Sequence, residues 1–257
     1  MKYIEYTVKD RIAYITMNRP EKRNALSHEM VTELKSAFAL AEEDNLVKVI
    51  ILRAKGEAFC AGADLEYLQK MQDFSYEQNV ADSTHLKELF AQIYELKKVV
   101  VAQVQGHALA GGCGLSTVCD FVFAVPEAKF GYTEVKIGFV PAIVMIFLIR
   151  KLGETKAKEL LLTGTLLMAD EAKSIGLVNH VVSKDRLHKE VLKFAANLVK
   201  SNSGNSMGIT KQMISKVQSL SLAEALAFAA EMNAKTRASD DCRNGIAAFL
   251  RKEKMTW

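Results

Sequence analysis

The chain has 257 residues, of which 49% are hydrophobic and 25% charged, with a formal net charge of +4. That balance supports a large buried core and excludes a disordered chain. Lysines and arginines are interleaved with acids instead of gathered into a run, which argues against a nucleic-acid partner.

From the N-terminus, IEYTVKDRIAYITMNRP alternates apolar and polar residues on both sides of Lys9-Asp10, the pattern of a hairpin with one buried face, ended by Asn18-Arg19-Pro20. Ser27 is an N-cap candidate for a helix whose apolar positions Met30, Val31, Leu34, Ala37, Phe38 and Ala41 share one side. Residues 47–52 form a β-branched strand leading into the loop AKGEAFCAGADLEYL, whose last residues can start a helix. The same arrangement returns: a polar helix over 78–96, a strand over 99–104, the turn QGHALAGGCG and a helical start at Leu115. Strands are expected at 121–125, 128–132 and 176–182, with helices at 143–151 and 156–162 between the last two. Beyond Ser183 only helices are expected, at 185–200, 205–218, 221–236 and 240–253, the third opened by a Ser221/Glu224 capping box. Strands mixed with helices and then helices alone indicate an α/β body over residues 1–183 and a helical region over 184–257.

Cys60, Cys113, Cys119 and Cys242 lack CxxC pairing and read as reduced thiols, and the five histidines lack metal-ligand spacing. No serine sits in a GxSxG elbow, so triad hydrolysis is disfavoured along with metal catalysis. The opening MKYIEYTVKD has no apolar stretch of signal-peptide length, and the longest apolar run, 139–149, is too short for a bilayer. A cytoplasmic protein with no membrane partner is expected.

Two turns, Gly62-Ala63-Asp64 and Gly111-Gly112-Cys113-Gly114, each follow a β-branched strand and open a helix. Unpaired amides and the positive end of the helix dipole make such a turn an anion site, although either can equally be a tight connection. Neither carries a P-loop ending or GxGxxG spacing, which leaves an oxyanion hole for a carbonyl oxygen open. Glu134, in FGYTEV at a strand end, reads as a surface glutamate or as an acid–base group with a pKa raised by apolar surroundings. Asp120, between Cys119 and Phe121, reads as a structural acid satisfied by backbone amides.

In this order and spacing, the segments resemble the crotonase (enoyl-CoA hydratase/isomerase) superfamily. The resemblance rests on Asn18-Arg19-Pro20 with Asn24-Ala25-Leu26, the run FCAGADL from Phe59 to Leu65, the segments 106–115 and 130–134, Cys119-Asp120, Leu162-Thr163-Gly164, AKSIGLV and the C-terminal 245–252, and so covers nearly the whole chain. It implies a crotonase-like spiral of ββα units with a helical C-terminal trimerisation region. It also implies that the amides of Ala63 and Gly111 hold a thioester carbonyl and stabilise its enolate. Arg23, Ala25, Ala61, Asp64 and Leu65 would line a coenzyme A groove. Phe249 and Lys252 would reach a neighbouring subunit's adenine and phosphate in a homotrimer or a dimer of trimers. No cofactor is implied beyond the coenzyme A thioester that serves as substrate.

Two departures from the family pattern stand out. Hydratases of this family use two glutamates; Glu134 matches the second, and the first falls on Gly114. After Glu134 the chain reads KIGFVPAIVM, whose larger apolar side chains are expected to narrow and dry the acyl pocket. The combination is closest to methylglutaconyl-CoA hydratase-like members. The expected activity is hydration of a short or branched 2-enoyl-CoA, such as 3-methylglutaconyl-CoA in leucine breakdown, with Glu134 alone handling the proton. The alternatives are a Δ3,Δ2-enoyl-CoA isomerase with one base, and a crotonase-fold binding protein without catalysis.

Overall fold

A computed structural model describes residues 1–257. The chain opens with β1 (Ile4–Lys9) and β2 (Ile12–Met17), an antiparallel hairpin turned on Asp10 and Arg11. Both turn residues have positive φ, 51° and 64°, as a two-residue turn matched to strand twist requires. β1 is the sheet edge and mostly exposed, whereas β2 is buried along its whole length. The alternation expected of β2 therefore does not mark a solvent face: Tyr14 and Thr16 are covered as well.

Next come α1 (His28–Glu43), β3 (Val49–Ala54), α2 (Leu65–Met71), α3 (Tyr76–Glu95), β4 (Val99–Val104), β5 (Ala108–Leu109), α4 (Gly111–Thr117), β6 (Phe121–Ala124) and β7 (Lys129–Gly131). They are followed by α5 (Ala142–Thr163), β8 (Leu167–Met168), α6 (Ala169–Ser174), β9 (His180–Val181), α7 (Lys184–Ser201), α8 (Gly204–Val217), α9 (Leu222–Arg237) and α10 (Asp240–Leu250). Six strands form one sheet in the order β1-β2-β3-β4-β6-β9, parallel except for the first pair, and β5-β7-β8 form a second small sheet. The α/β body and helical C-terminal region expected from the sequence are both present. No helix is long and apolar enough to cross a membrane, and all four cysteines are free thiols.

The helix α1 shows how the pattern becomes packing. All six of its expected apolar positions are buried, and Ser27 caps it by accepting from the Met30 amide at 3.3 Å. Elsewhere the boundaries differ for identifiable reasons. β3 begins two residues later than expected, at Val49. α5 joins the two expected helices across Gly153, whose φ of 77° and ψ of 167° break the helical path. β9 keeps only two of the seven residues expected, because Leu177 and Val178 fold back to donate to the Ala172 carbonyl.

Asp120 is structural, as expected, but its carboxylate is held by one amide and one ammonium: Val100 N at 2.7 Å and Lys211 Nζ at 2.8 Å. Lys211 also donates to the Ile93 and Lys98 carbonyls, both at 3.0 Å, which pins α8 to α3 and β4. α7 buries Leu187, Val191 and Ala195 against the large sheet. The helices after it are looser, and none of the sixteen residues of α9 is buried within the chain.

Candidate active site

Local backbone pairing brings the two glycine turns together. Cys60 and Ala108 form one parallel bridge, with Leu109 N donating to Cys60 O at 3.0 Å, and Leu26 and Ala63 form another. Gly62, at φ 97°, is pressed against the second turn: a Cβ there would lie 2.8 Å from the Ala110 methyl and 3.6 Å from Gly111 N. A side chain at Gly112 would run into Cys60 O at 2.2 Å. Glycine is therefore required at both contacts by close approach of backbone to backbone.

This arrangement leaves two donors without acceptors. The amides of Ala63 and Gly111 donate to nothing in the chain, although their neighbours do: Leu26 N to Gly62 O at 2.7 Å, Asp64 N to Leu26 O at 3.0 Å, and Ala110 N to Gly131 O at 2.7 Å. Gly111 is the first residue of α4, where the helix leaves its N–H groups unpaired, and Ala63 lies on the exposed side of its bridge. Ala110 between them is a strained alanine, with φ 50° and ψ −126°. A pair of fixed, unsatisfied amides at adjoining turns is the geometry of an oxyanion hole.

Glu134 lies just beyond β7, as the first residue of a single 3-10 turn over Glu134–Ile137, not at a strand end as expected. Only 9% of it is exposed, and its Oε2 is buried with no hydrogen-bond partner. Burial raises its pKa above the ordinary carboxylate value, the direction that suits proton transfer near neutrality. Beside it, burial pushes the Cys113 thiol up to about 12, so this sulfur stays protonated. Tyr132, fully buried, shares a 2.7 Å hydrogen bond with Thr117 Oγ1 and ties the strand before Glu134 to α4.

Gly114 is closed off. A Cβ there would meet Val144 Cγ1 at 2.2 Å, Val144 Cβ at 2.8 Å and Phe90 Cε1 at 3.1 Å. Val144, on the first turn of α5, thus occupies the space that a side chain at 114 would need. Of the segment KIGFVPAIVM, Val144 is the residue that closes position 114, whereas Ile137, Phe139 and Val140 are exposed in the isolated chain. Behind Phe90 the rings of Phe147 and Tyr94 continue the wall, at centroid distances of 5.9 Å and 5.3 Å.

Of the expected groove residues, Arg23, Ala25, Ala61, Asp64 and Leu65 lie along the edge where two segments pair. Ala61 N donates to Arg23 O at 3.1 Å, and the Leu26 bonds continue the ladder. Arg23 and Leu65 are exposed and Ala25 is buried. The Asp64 side chain points elsewhere. It caps α2 through the Glu66 and Tyr67 amides, at 2.9 and 3.1 Å, and pairs with Arg19 at 2.6 Å. Burial pushes its pKa up, but the Tyr67 amide, the Arg19 guanidinium and the Glu66 amide outweigh this and hold the carboxyl below its usual range. Phe249 and Lys252 are on and just after α10, which packs chiefly on α9 and is not brought to either turn.

Three contributors escaped the sequence reading. Asn24, fully buried at φ 53°, accepts from Arg19 N at 2.9 Å and donates to the Lys55 and Ala58 carbonyls at 2.8 and 2.9 Å, stapling the first turn in place. Its signal was present, since asparagine tolerates the left-handed conformation and bonds backbone. Val144 lay within the apolar segment singled out after Glu134, but its contact with position 114, like the role of Ala110, depends on residues distant in sequence.

Comparison with known proteins gives a consistent picture. Residues 7–257 match the family model described as enoyl-CoA hydratase/isomerase. The chain is 41% identical over 244 residues to a Thermus thermophilus protein named "Putative enoyl-CoA hydratase", covering 95% of this chain and 96% of that one. It is 33% identical over 248 residues to the crotonyl-CoA hydratase of Syntrophomonas wolfei, covering 96% and 94%. The crystal structure of an enoyl-CoA hydratase from Mycobacterium smegmatis superimposes with a TM-score of 0.92 at 30% identity, covering 99% and 98% of the two chains.

Proposed function

The chain belongs to the enoyl-CoA hydratase/isomerase family, and on that premise we propose that it hydrates a short or branched 2-enoyl-CoA, such as 3-methylglutaconyl-CoA. The observation that carries this reading is the pair of acceptor-free amides, Ala63 and Gly111, held at adjoining turns, together with the buried, unpartnered carboxylate of Glu134, which follows the strand that accepts from Ala110 N. With the thioester oxygen between the two amides, attack of water at C3 moves negative charge onto that oxygen, where the fixed donors stabilise it. Glu134 takes the proton from the water as the C3–O bond forms. The same carboxylic acid then gives a proton to C2 as the enolate collapses to the 3-hydroxyacyl thioester.

A Δ3,Δ2-enoyl-CoA isomerase is the second reading, and the closure of position 114 by Val144 favours it. Moving a proton between C2 and C4 needs one base and the same oxyanion hole. Incubation with a 2-enoyl-CoA and, separately, with a 3-enoyl-CoA separates the two: a hydratase removes the conjugated thioester absorbance, and an isomerase creates it. Tight coenzyme A binding with no change in either substrate would replace both by a non-catalytic binding protein.

A homotrimer, or a dimer of trimers, accords with the C-terminal surface. A sixteen-residue helix that buries nothing in its own chain, with Leu222 78% and Leu226 63% exposed, needs a partner surface. Phe249, 80% exposed, and Lys252 are free to reach a neighbouring subunit's coenzyme A in such an assembly.

A further inference from the structure

A cavity of about 800 Å³ lies between the C-terminal ends of α3 and α7, the part of α5 before its break at Gly153 and one face of α8, at the C-terminal end of α4. Ala63, Gly111 and Glu134 take no part in its lining, and it meets the site described above at the Phe147 and Tyr94 rings. Its walls are mainly apolar, with Phe147, Leu198, Met207 and Ile214 among them.

The charges facing it do not balance. Three cations, Arg150, Lys151 and Lys211, and one acid, Asp120, line the space. Lys211 is paired with Asp120. Arg150 and Lys151 have no carboxylate within ion-pair distance. Arg150 donates to Gln218 Oε1 at 3.1 Å and lies over the Tyr94 ring, and Lys151 donates to the carbonyls of Thr117 and Cys119 at 2.8 and 3.1 Å. An ammonium has three N–H donors, so one of those on Lys151 is spare. Burial lowers the Lys151 pKa, and the nearby Asp120 carboxylate, already paired with Lys211, offsets this only in part. The Tyr94 hydroxyl, also in the lining, is buried with no hydrogen-bond partner, a state that buried polar groups seldom keep without an occupant to satisfy them.

We infer that this cavity binds an amphiphilic monocarboxylate, with its alkyl chain along the apolar wall and its carboxylate at Lys151 and Arg150. An apolar wall with uncompensated cations suits this chemistry better than inorganic phosphate, which would leave the apolar surface empty. The volume is within the range of small-molecule sites.

Trp257 is the single tryptophan of the chain and lines the cavity, so its fluorescence reports occupancy. Titration of the whole protein with decanoate below its micelle concentration is expected to give a saturable change, and decanol and decyltrimethylammonium a much weaker one. Lys151→Met is expected to weaken decanoate at least about tenfold, the usual loss for a charged hydrogen bond. Because Lys151 also bonds two carbonyls, Tyr94→Phe serves as the milder variant, with an expected loss of about threefold. Absence of a saturable signal, equal affinity for decanol, or unchanged binding by both variants would overturn the assignment. So would stoichiometric displacement by an acyl-CoA, which would place decanoate in the acyl groove. Failure of the enzymatic reading would leave all of these outcomes unaffected.

Discussion

Replacing Gly114 with alanine sets two effects against each other. Inside a helix, alanine is favoured over glycine by about 1 kcal/mol. The added methyl, however, would sit 2.2 Å from Val144 Cγ1 and 2.8 Å from its Cβ. Carbon atoms pack at about 3.5–4.0 Å, so rotating the Val144 side chain cannot relieve both contacts, and the start of α5 must shift. Overpacking costs about 1–3 kcal/mol, and contacts this short belong at the upper end. The net expectation is a loss of about 2 kcal/mol, or about 4–8 °C in Tm at about 2–4 °C per kcal/mol for a chain of this size. Val144→Ala alone should also destabilise, by the two methyl groups it removes, about 1.6 kcal/mol in transfer terms. In the double variant the worst contact is gone, so the two losses should be less than additive by at least about 1 kcal/mol. Thermal or urea unfolding of the four proteins measures this cycle. A Gly114→Ala protein more stable than the parent, or additivity within about 0.5 kcal/mol, would show that Val144 does not fill the missing side chain's place. Restoring an acid at 114 would then need no change at 144.

Glu134→Gln should reduce turnover by about 100- to 10,000-fold, as followed by the conjugated thioester absorbance. It should also stabilise the fold at pH 7, by about 1–3 kcal/mol if the unpartnered carboxylate bears the usual cost of an unsatisfied buried group. The sign follows from the raised pKa: the fold favours the protonated acid, so the penalty is absent below the unfolded-state pKa and grows as pH rises through it. The stability difference should therefore vanish in acid, and a constant difference across pH would refute it. Asp64→Ala removes a helix cap and the partner of Arg19, and urea unfolding at pH 7 should show a loss of about 3 kcal/mol. Because the Asp64 pKa is depressed, that difference should shrink as pH falls through the folded-state value. Leu226→Glu on α9 should convert an oligomer to smaller species in light scattering while far-UV circular dichroism is retained; an unchanged mass would remove α9 from the interface.

What the sequence disclosed follows the range of the forces involved. The buried face of α1 was readable because six apolar positions at helical spacing leave one way to pack. β5 and β8, of two residues each, have no pattern to read, and β9 is two residues of a longer run read as a strand; all three exist where neighbouring backbone offers a register. The candidate site divides in the same way. Glycines at 62, 111, 112 and 114 signalled backbone that must be approached closely, and the absent acid at 114 was visible as a letter. That Val144 makes this absence structural, thirty positions away, depends on where α5 docks. Phe249 and Lys252 stay apart from the turns because they lie at and just after the end of α10, which packs on α9.

Ala110 and Gly62 fit as a key fits its slot. The alanine methyl enters the notch that the glycine leaves, and the Ala110 amide is anchored to Gly131 O on the strand that leads to Glu134. The two acceptor-free amides and Glu134 therefore share one frame, and their spacing is set when the chain folds. Little reorganisation is left for the reaction itself. Loosening the fit, as Ala110→Gly would, should leave the fold intact and blur the distance between the two amides on which the proposed enolate stabilisation depends.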